Sequence, residues 1–174
     1  MAFTFDATVG GETANSYVTV ADADDYFTGR LDNALWSTTA PRKQAALAMA
    51  TVRLNLEQYG GQTTTSVQAL QWPRNYIVDY EGHNVYIPND VIPPELTYAT
   101  CELALHYMKQ EAGEFSVDEF DLETLTSYKV GPLDFGIKNG YKADRLPTKV
   151  QNMLIAIGAN AYVTPSTQNL YMVR

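Results

Sequence analysis

The sequence predicts a mainly α-helical protein: a bundle of about four helices with one or two small β-hairpins and extended arms at both ends. Three observations lead there. Apolar residues recur at steps of three and four in three separate stretches, the pattern of helices with a buried face. Helix starts are marked by a capping threonine or by proline. Short runs of alternating apolar residues, split by glycine turns, read as hairpins.

Residues 1–15 read as an extended N-terminal arm, in which Phe3 and Phe5 alternate with polar neighbours and Gly10-Gly11 ends the run. It is either a short edge strand or a segment laid on a neighbour. Thr19 is the expected N-cap of the first helix, with Asp22 at capping-box spacing. Asp22, Asp24 and Asp25 fall in the first turns, where the helix dipole favours negative charge. A calcium loop is the competing reading of these aspartates, but the sixth-position glycine and twelfth-position glutamate are missing. Gly29 ends this helix.

The second helix is expected from Pro41 or Arg42 to Tyr59, stopped by Gly60-Gly61. Ala45, Met49, Val52, Leu56 and Tyr59 form its expected buried face, widened by Ala46, Ala48 and Ala50. Residues 60–92 read as a non-helical insertion: a polar loop over Gln62 to Ser66, then a hairpin pairing Tyr76–Tyr80 with Asn84–Ile87 around Glu81-Gly82-His83. Trp72 is expected to anchor this loop in the core. Pro93-Pro94 opens a helix apolar around most of its circumference, through Leu96, Ala99, Thr100, Cys101, Leu103, Leu105, Tyr107 and Met108, which makes it central. Residues 111–123 hold six acids and no base, the composition of a solvated loop. Leu125–Val130 and Leu133–Ile137 flank Gly131-Pro132 as a second hairpin. Pro147 opens the last helix, with Val150, Leu154 and Ile157 inward. The bundle region therefore runs over residues 16–162. Residues 163–174 form a C-terminal arm whose apolar end suits docking, on its own core or on a partner.

The chain has 174 residues and a net charge of −8, with nine acids and five bases in residues 1–87 and eleven and seven in 88–174. No basic run is present to displace counterions from a phosphate backbone, which disfavours tight non-specific nucleic-acid binding. One cysteine, Cys101, excludes an internal disulfide and is expected to be buried. The N-terminus lacks a secretion signal and no run approaches the ~20 apolar residues of a membrane span, so a cytosolic origin is expected. Two histidines, His83 and His106, have no partner at zinc-ligand spacing. Nucleophile elbows and phosphate loops are also missing. The expectation is a non-enzyme without cofactor or metal.

Four motifs carry a resemblance: Ser16-Tyr17-Val18-Thr19-Val20-Ala21-Asp22-Ala23-Asp24-Asp25-Tyr26-Phe27, Gln71-Trp72-Pro73-Arg74, the Pro-Pro-Glu-Leu start at Pro93, and Ala99-Thr100-Cys101-Glu102-Leu103-Ala104. Lys129-Val130-Gly131-Pro132-Leu133 is a weaker echo. Together they resemble a tailed-phage family labelled DnaT-like single-stranded-DNA-binding, whose members look like head–tail connector adaptors. The resemblance implies a virion protein made in the host cytoplasm that forms a ring, typically dodecameric, beneath the portal. It further implies partners on both sides: the portal protein, and a tail, stopper or nozzle protein. The packaged duplex would pass through without sticking. On that reading Leu170, Tyr171, Met172, Val173 and Arg174 are candidate portal contacts, and Gly82 and His83 candidate tail-side contacts. Glu111, Glu114, Asp118, Glu119, Asp121 and Glu123 are a candidate acidic lining of the DNA channel. The alternative is a single-stranded-DNA-binding replication protein, which would need a basic groove with stacking aromatics. A β-rich stopper or tail terminator fits the helical patterns less well.

Overall fold

A computed structural model describes residues 3–75, 87–112, 127–130, 133–136 and 146–159. Among them the protein is mainly helical, with two small antiparallel sheets. The helices are α1 (Val20–Phe27), α2 (Asn33–Trp36), α3 (Ala40–Leu54), α4 (Pro94–Ala112) and α5 (Thr148–Ala156). The strands are β1 (Gln62–Thr63), β2 (Arg74–Asn75), β3 (Ser127–Val130) and β4 (Leu133–Gly136).

α4 is the centre of the bundle. Leu96, Ala99, Thr100, Cys101, Leu103, Ala104, Leu105 and Met108 are all buried, and the other four helices pack against it. The polar member of that set is satisfied locally, since the Thr100 hydroxyl donates to the Leu96 carbonyl at 2.7 Å. Cys101 is buried as expected. α5 follows its predicted pattern, with Val150, Leu154 and Ile157 buried.

Thr19 caps α1: its hydroxyl accepts from the Asp22 N–H at 3.1 Å and donates to the Asp22 carboxylate at 2.6 Å. Past the helix, Gly29 takes a φ of +80°, the left-handed conformation that its lack of Cβ permits. β3 and β4 pair antiparallel, Val130 opposite Leu133 and Ser127 opposite Gly136, which matches the expected second hairpin. The first expected hairpin, around Glu81-Gly82-His83, lies outside the described residues. Within residues 3–15 no helix or strand forms. This part of the arm turns back on itself: the Asn15 and Ser16 amides donate to the Asp6 carbonyl, and the Asp6 amide to the Asn15 side chain.

Three expectations are corrected. α2 lies where no helix was read, and buries Trp36 against Phe27 at 4.6 Å between ring centroids. The stretch read as a polar loop begins with β1, which pairs with β2: Gln62 opposite Asn75, Thr63 opposite Arg74. The largest correction concerns α3. It stops at Leu54, not Tyr59, and buries Ala46, Leu47, Ala50, Thr51 and Leu54. The face read as its core side is outside: Ala45 is exposed, and Met49, Val52 and Leu56 are 58%, 63% and 72% exposed. Only Tyr59 of that set is half-buried. α3 is apolar on both sides, so periodicity alone offered two stripes and could not choose between them.

This inversion predicts unequal substitution costs. Leu47→Ala should destabilise by about 2–5 kcal/mol, the usual range for truncating a core leucine. Val52→Ala should stay within about 0.5 kcal/mol. Urea melts of the two variants measure both.

Candidate functional site

Met49 and Val52, with Ala45, form a solvent-facing stripe on α3 at steps of four and three, and Leu56, exposed in the turn just past the helix, continues the row in sequence. Scattered exposed apolar residues are ordinary, but an aligned row on one helix marks a surface that fits a partner. α3 carries three bases and no acid. Arg42 reaches Glu111 of α4 at 3.0 Å, Lys43 reaches Asp24 of α1 at 2.7 Å, and Arg53 pairs with Glu57.

α4 offers one partly buried carboxylate among its apolar residues. One oxygen of Glu102 accepts from the Tyr26 hydroxyl, from Arg30 at 2.7 Å and from Lys149 at 2.7 Å. It thereby ties α1 and the turn after it to α5 across α4. Burial pushes the Glu102 carboxyl up, but hydrogen bonds from Lys149 and Tyr26 and the charges of Lys149 and Arg30 outweigh it and hold the group below its ordinary value of 4.5. Arg30 lies 5.0 Å from the Tyr26 ring centre and also chelates Asp32. Tyr98, partly exposed, stacks on Tyr26 at 5.0 Å. Asp24 forms a smaller hub, accepting from the Trp36 indole N–H and from Lys43, each at 2.7 Å.

The Gln71-Trp72-Pro73-Arg74 motif is a loop lock. Arg74 is buried, and its guanidinium donates to the carbonyls of Gly60 at 2.7 Å, Gln71 at 2.9 Å, Gly61 at 2.9 Å and Tyr59 at 3.3 Å. A planar fork with five donors can serve so many acceptors at once. Burial without a bound carboxylate lowers its pKa. Trp72 is buried as expected and meets Tyr59 edge-on. Asn55 joins this loop to the segment before α1: its side-chain oxygen accepts from the Tyr17 hydroxyl and the Gln71 amide, each at 2.7 Å.

Of the acids proposed from sequence as a channel lining, Glu111 is described; it is exposed on the last turn of α4 and paired with Arg42. Glu114, Asp118, Glu119, Asp121 and Glu123 lie outside the described residues, as do Gly82, His83 and Leu170 to Arg174. The portal and tail-side candidates therefore lie wholly outside the described residues, and the acidic group lies outside them but for Glu111. Sequence reasoning missed Asp24 as a hub, Glu102, Arg74 and the outward turn of the α3 stripe. Glu102 had a signal: a lone acid inside an apolar helix needs a partner. Arg74 had none, because its partners are backbone carbonyls. Among the described residues, no three His, Cys, Asp or Glu side chains gather as a metal site. Burial pushes the Cys101 thiol up to about 12, which leaves it inert as a nucleophile near neutral pH. No helix of the described residues is long and apolar enough to cross a membrane.

These features define a helical module whose described polar clusters hold its elements together and whose outward-facing feature is an apolar stripe. The chain belongs to the family described as "Putative DnaT-like ssDNA binding protein", whose model matches residues 1–174. No curated protein and no solved structure matches it.

Two expected outcomes test the polar clusters. Arg74→Met should cost about 1.5–3 kcal/mol, the usual worth of hydrogen bonds from a charged donor, because the four carbonyls it serves are only partly buried and can turn to water; Arg74→Lys should not restore the loss. Denaturant melts measure it. Glu102 binds its proton less readily in the folded chain than in the unfolded one. Its contribution is therefore complete above about 4.5 and lost as pH falls through its lowered value. Melting temperature should fall with acidification below that point less steeply in Glu102→Gln than in the wild type, while at pH 7 the variant is less stable by about 1.5–3 kcal/mol.

Proposed function

We propose that this protein is a non-enzymatic assembly subunit, a head-to-tail adaptor of a tailed bacteriophage that joins a ring beneath the portal and works at the head–tail interface of the virion. The observation that carries this reading is the α3 stripe: Ala45, Met49, Val52 and Leu56 face water in a row, a surface suited to a neighbouring protein. The charge balance supports it. A wall of net negative charge repels a phosphate backbone, so a duplex slides past instead of adhering. In this reading the acidic stretch from Glu111 to Glu123 faces the channel. Leu170 to Arg174 dock in the portal, and the Gly82-His83 turn meets the tail.

The family description supports a second reading, single-stranded-DNA binding, more directly than it supports the adaptor. One local feature favours it too. Tyr98 presents a partly exposed ring stacked on Tyr26, with Arg30 and Lys149 nearby on Glu102. Exposed aromatics beside cations are what bases stack on. Against it, both cations are already held by acids, and the chain as a whole is acidic.

One pair of measurements separates the readings. The adaptor should co-sediment with portal-bearing capsids and lose that binding when residues 170–174 are deleted, with its circular dichroism unchanged. A DNA-binding protein should instead shift single-stranded oligonucleotides at ~0.15 M salt, near physiological ionic strength, and Tyr98→Ala should weaken the shift. Failure to bind capsids together with a Tyr98-dependent shift replaces the first reading by the second.

A further inference from the structure

α3 and the far end of α1 present complementary surfaces. α3 shows water an apolar stripe with Arg42 at its N-terminal end, a side chain 46% exposed whose one ion pair, at 3.0 Å, is with the exposed Glu111 of α4. The other two bases of α3 are turned onto Asp24 and Glu57 and are mostly covered. α1 carries three acids and no base, and Asp22 and Asp25 lie on its exposed side. Four residues past its end, Leu31 stands fully exposed in the turn that follows exposed Thr28 and Gly29. One surface is thus an apolar strip with a cation at its end. The other is a single apolar knob in the turn after a helix that exposes two carboxylates.

We propose that these two surfaces bind each other between copies of the chain. Leu31 of one copy seats on the Met49–Val52–Leu56 stripe of the next, and Asp22 and Asp25 of the first approach Arg42 of the second. The inference rests on the assembly reading above and names the surfaces that assembly would use. Because the patches differ, the contact is heterologous: each bound pair keeps one free patch of each kind, and repetition closes a ring or extends a filament. A two-fold contact of α3 with α3 would cover the stripe but leave Leu31 in water and the α1 acids unanswered. Copies of a chain with net charge −8 repel one another, and meeting at Arg42 reduces that cost locally. The attraction between such exposed charges weakens as salt rises.

The test uses the full chain in sedimentation velocity and native mass spectrometry over rising concentration. The wild type should form species larger than the monomer. Leu31→Asp and Val52→Asp both fall at exposed positions, so each should keep its circular dichroism and melting temperature. Each alone should be monomeric. Mixed one to one, they should give a dimer containing one of each and nothing larger, since the Val52→Asp copy retains its knob and the Leu31→Asp copy its stripe. A wild type that stays monomeric overturns the proposal. So does assembly of Leu31→Asp like the wild type, the signature of a two-fold α3 contact, or a mixture that remains monomeric while the wild type associates. A monomer that still binds capsids removes this interface and leaves the adaptor reading standing. Association without capsid binding does the reverse.

Discussion

Glu102 places a carboxylate on α4, a helix that the rest of the bundle packs against, and its need for donors is met from both α1 and α5. A partly buried charge without partners would forfeit its hydration, so donors must come to it. Tyr26 arrives from α1, Arg30 from the turn beyond it, and Lys149 from the first turn of α5. Those three contacts bring sequence positions more than a hundred residues apart onto one oxygen. The apolar burial of α4 supplies most of the driving force, at roughly 1.5–3 kcal/mol for each fully covered large side chain. The apolar faces, Ala23 and Phe27 on α1 and Val150 and Leu154 on α5, set which side turns inward, and the carboxylate adds fixed polar ties between these helices.

Arg74 performs the equivalent task for the segment between α3 and β2. Its guanidinium takes up the carbonyls of residues 59–61 and 71, groups that otherwise have no ladder to join. Gln71 adds to this from the other side, donating from its side-chain amide to the Asn55 and Glu57 carbonyls. Those are acceptors that a longer α3 would have used for itself. α3 ends at Leu54, the loop holds the carbonyls just beyond it, and the glycines at 60 and 61 lie too late to be the stop. With these polar groups directed inward, what α3 offers outward is the row from Ala45 to Leu56. The fold thus leaves that row of apolar side chains facing water.

Elements with a single apolar face, or with apolar residues all round, were readable in advance. α4 declared itself central by its circumference, α5 by Val150, Leu154 and Ile157, α1 by its threonine cap, and β3–β4 by the alternation about Gly131-Pro132. α3 was not readable in the same way. Alanine on several sides makes either stripe a possible core, and the 3.6-residue period is indifferent to which one is covered. α2 was too short for any periodicity to register, and β1–β2 pairs two residues with two, below the length at which alternation means anything. The candidate interaction surface was the least legible part, because its residues were seen but assigned to the inside.

What the sequence determined alone is local or compositional: where helices begin, which helix must lie in the middle, the acidic balance, and a cysteine destined for burial. These depend on capping chemistry, on the fraction of a helix that is apolar, and on simple counting. Only the tertiary structure decided which face of α3 meets α4, where that helix ends, and which donors answer Glu102 and Arg74. Each of those outcomes is a competition between distant groups for the same acceptor or the same patch of core, and a competition of that kind leaves no periodic trace along the chain.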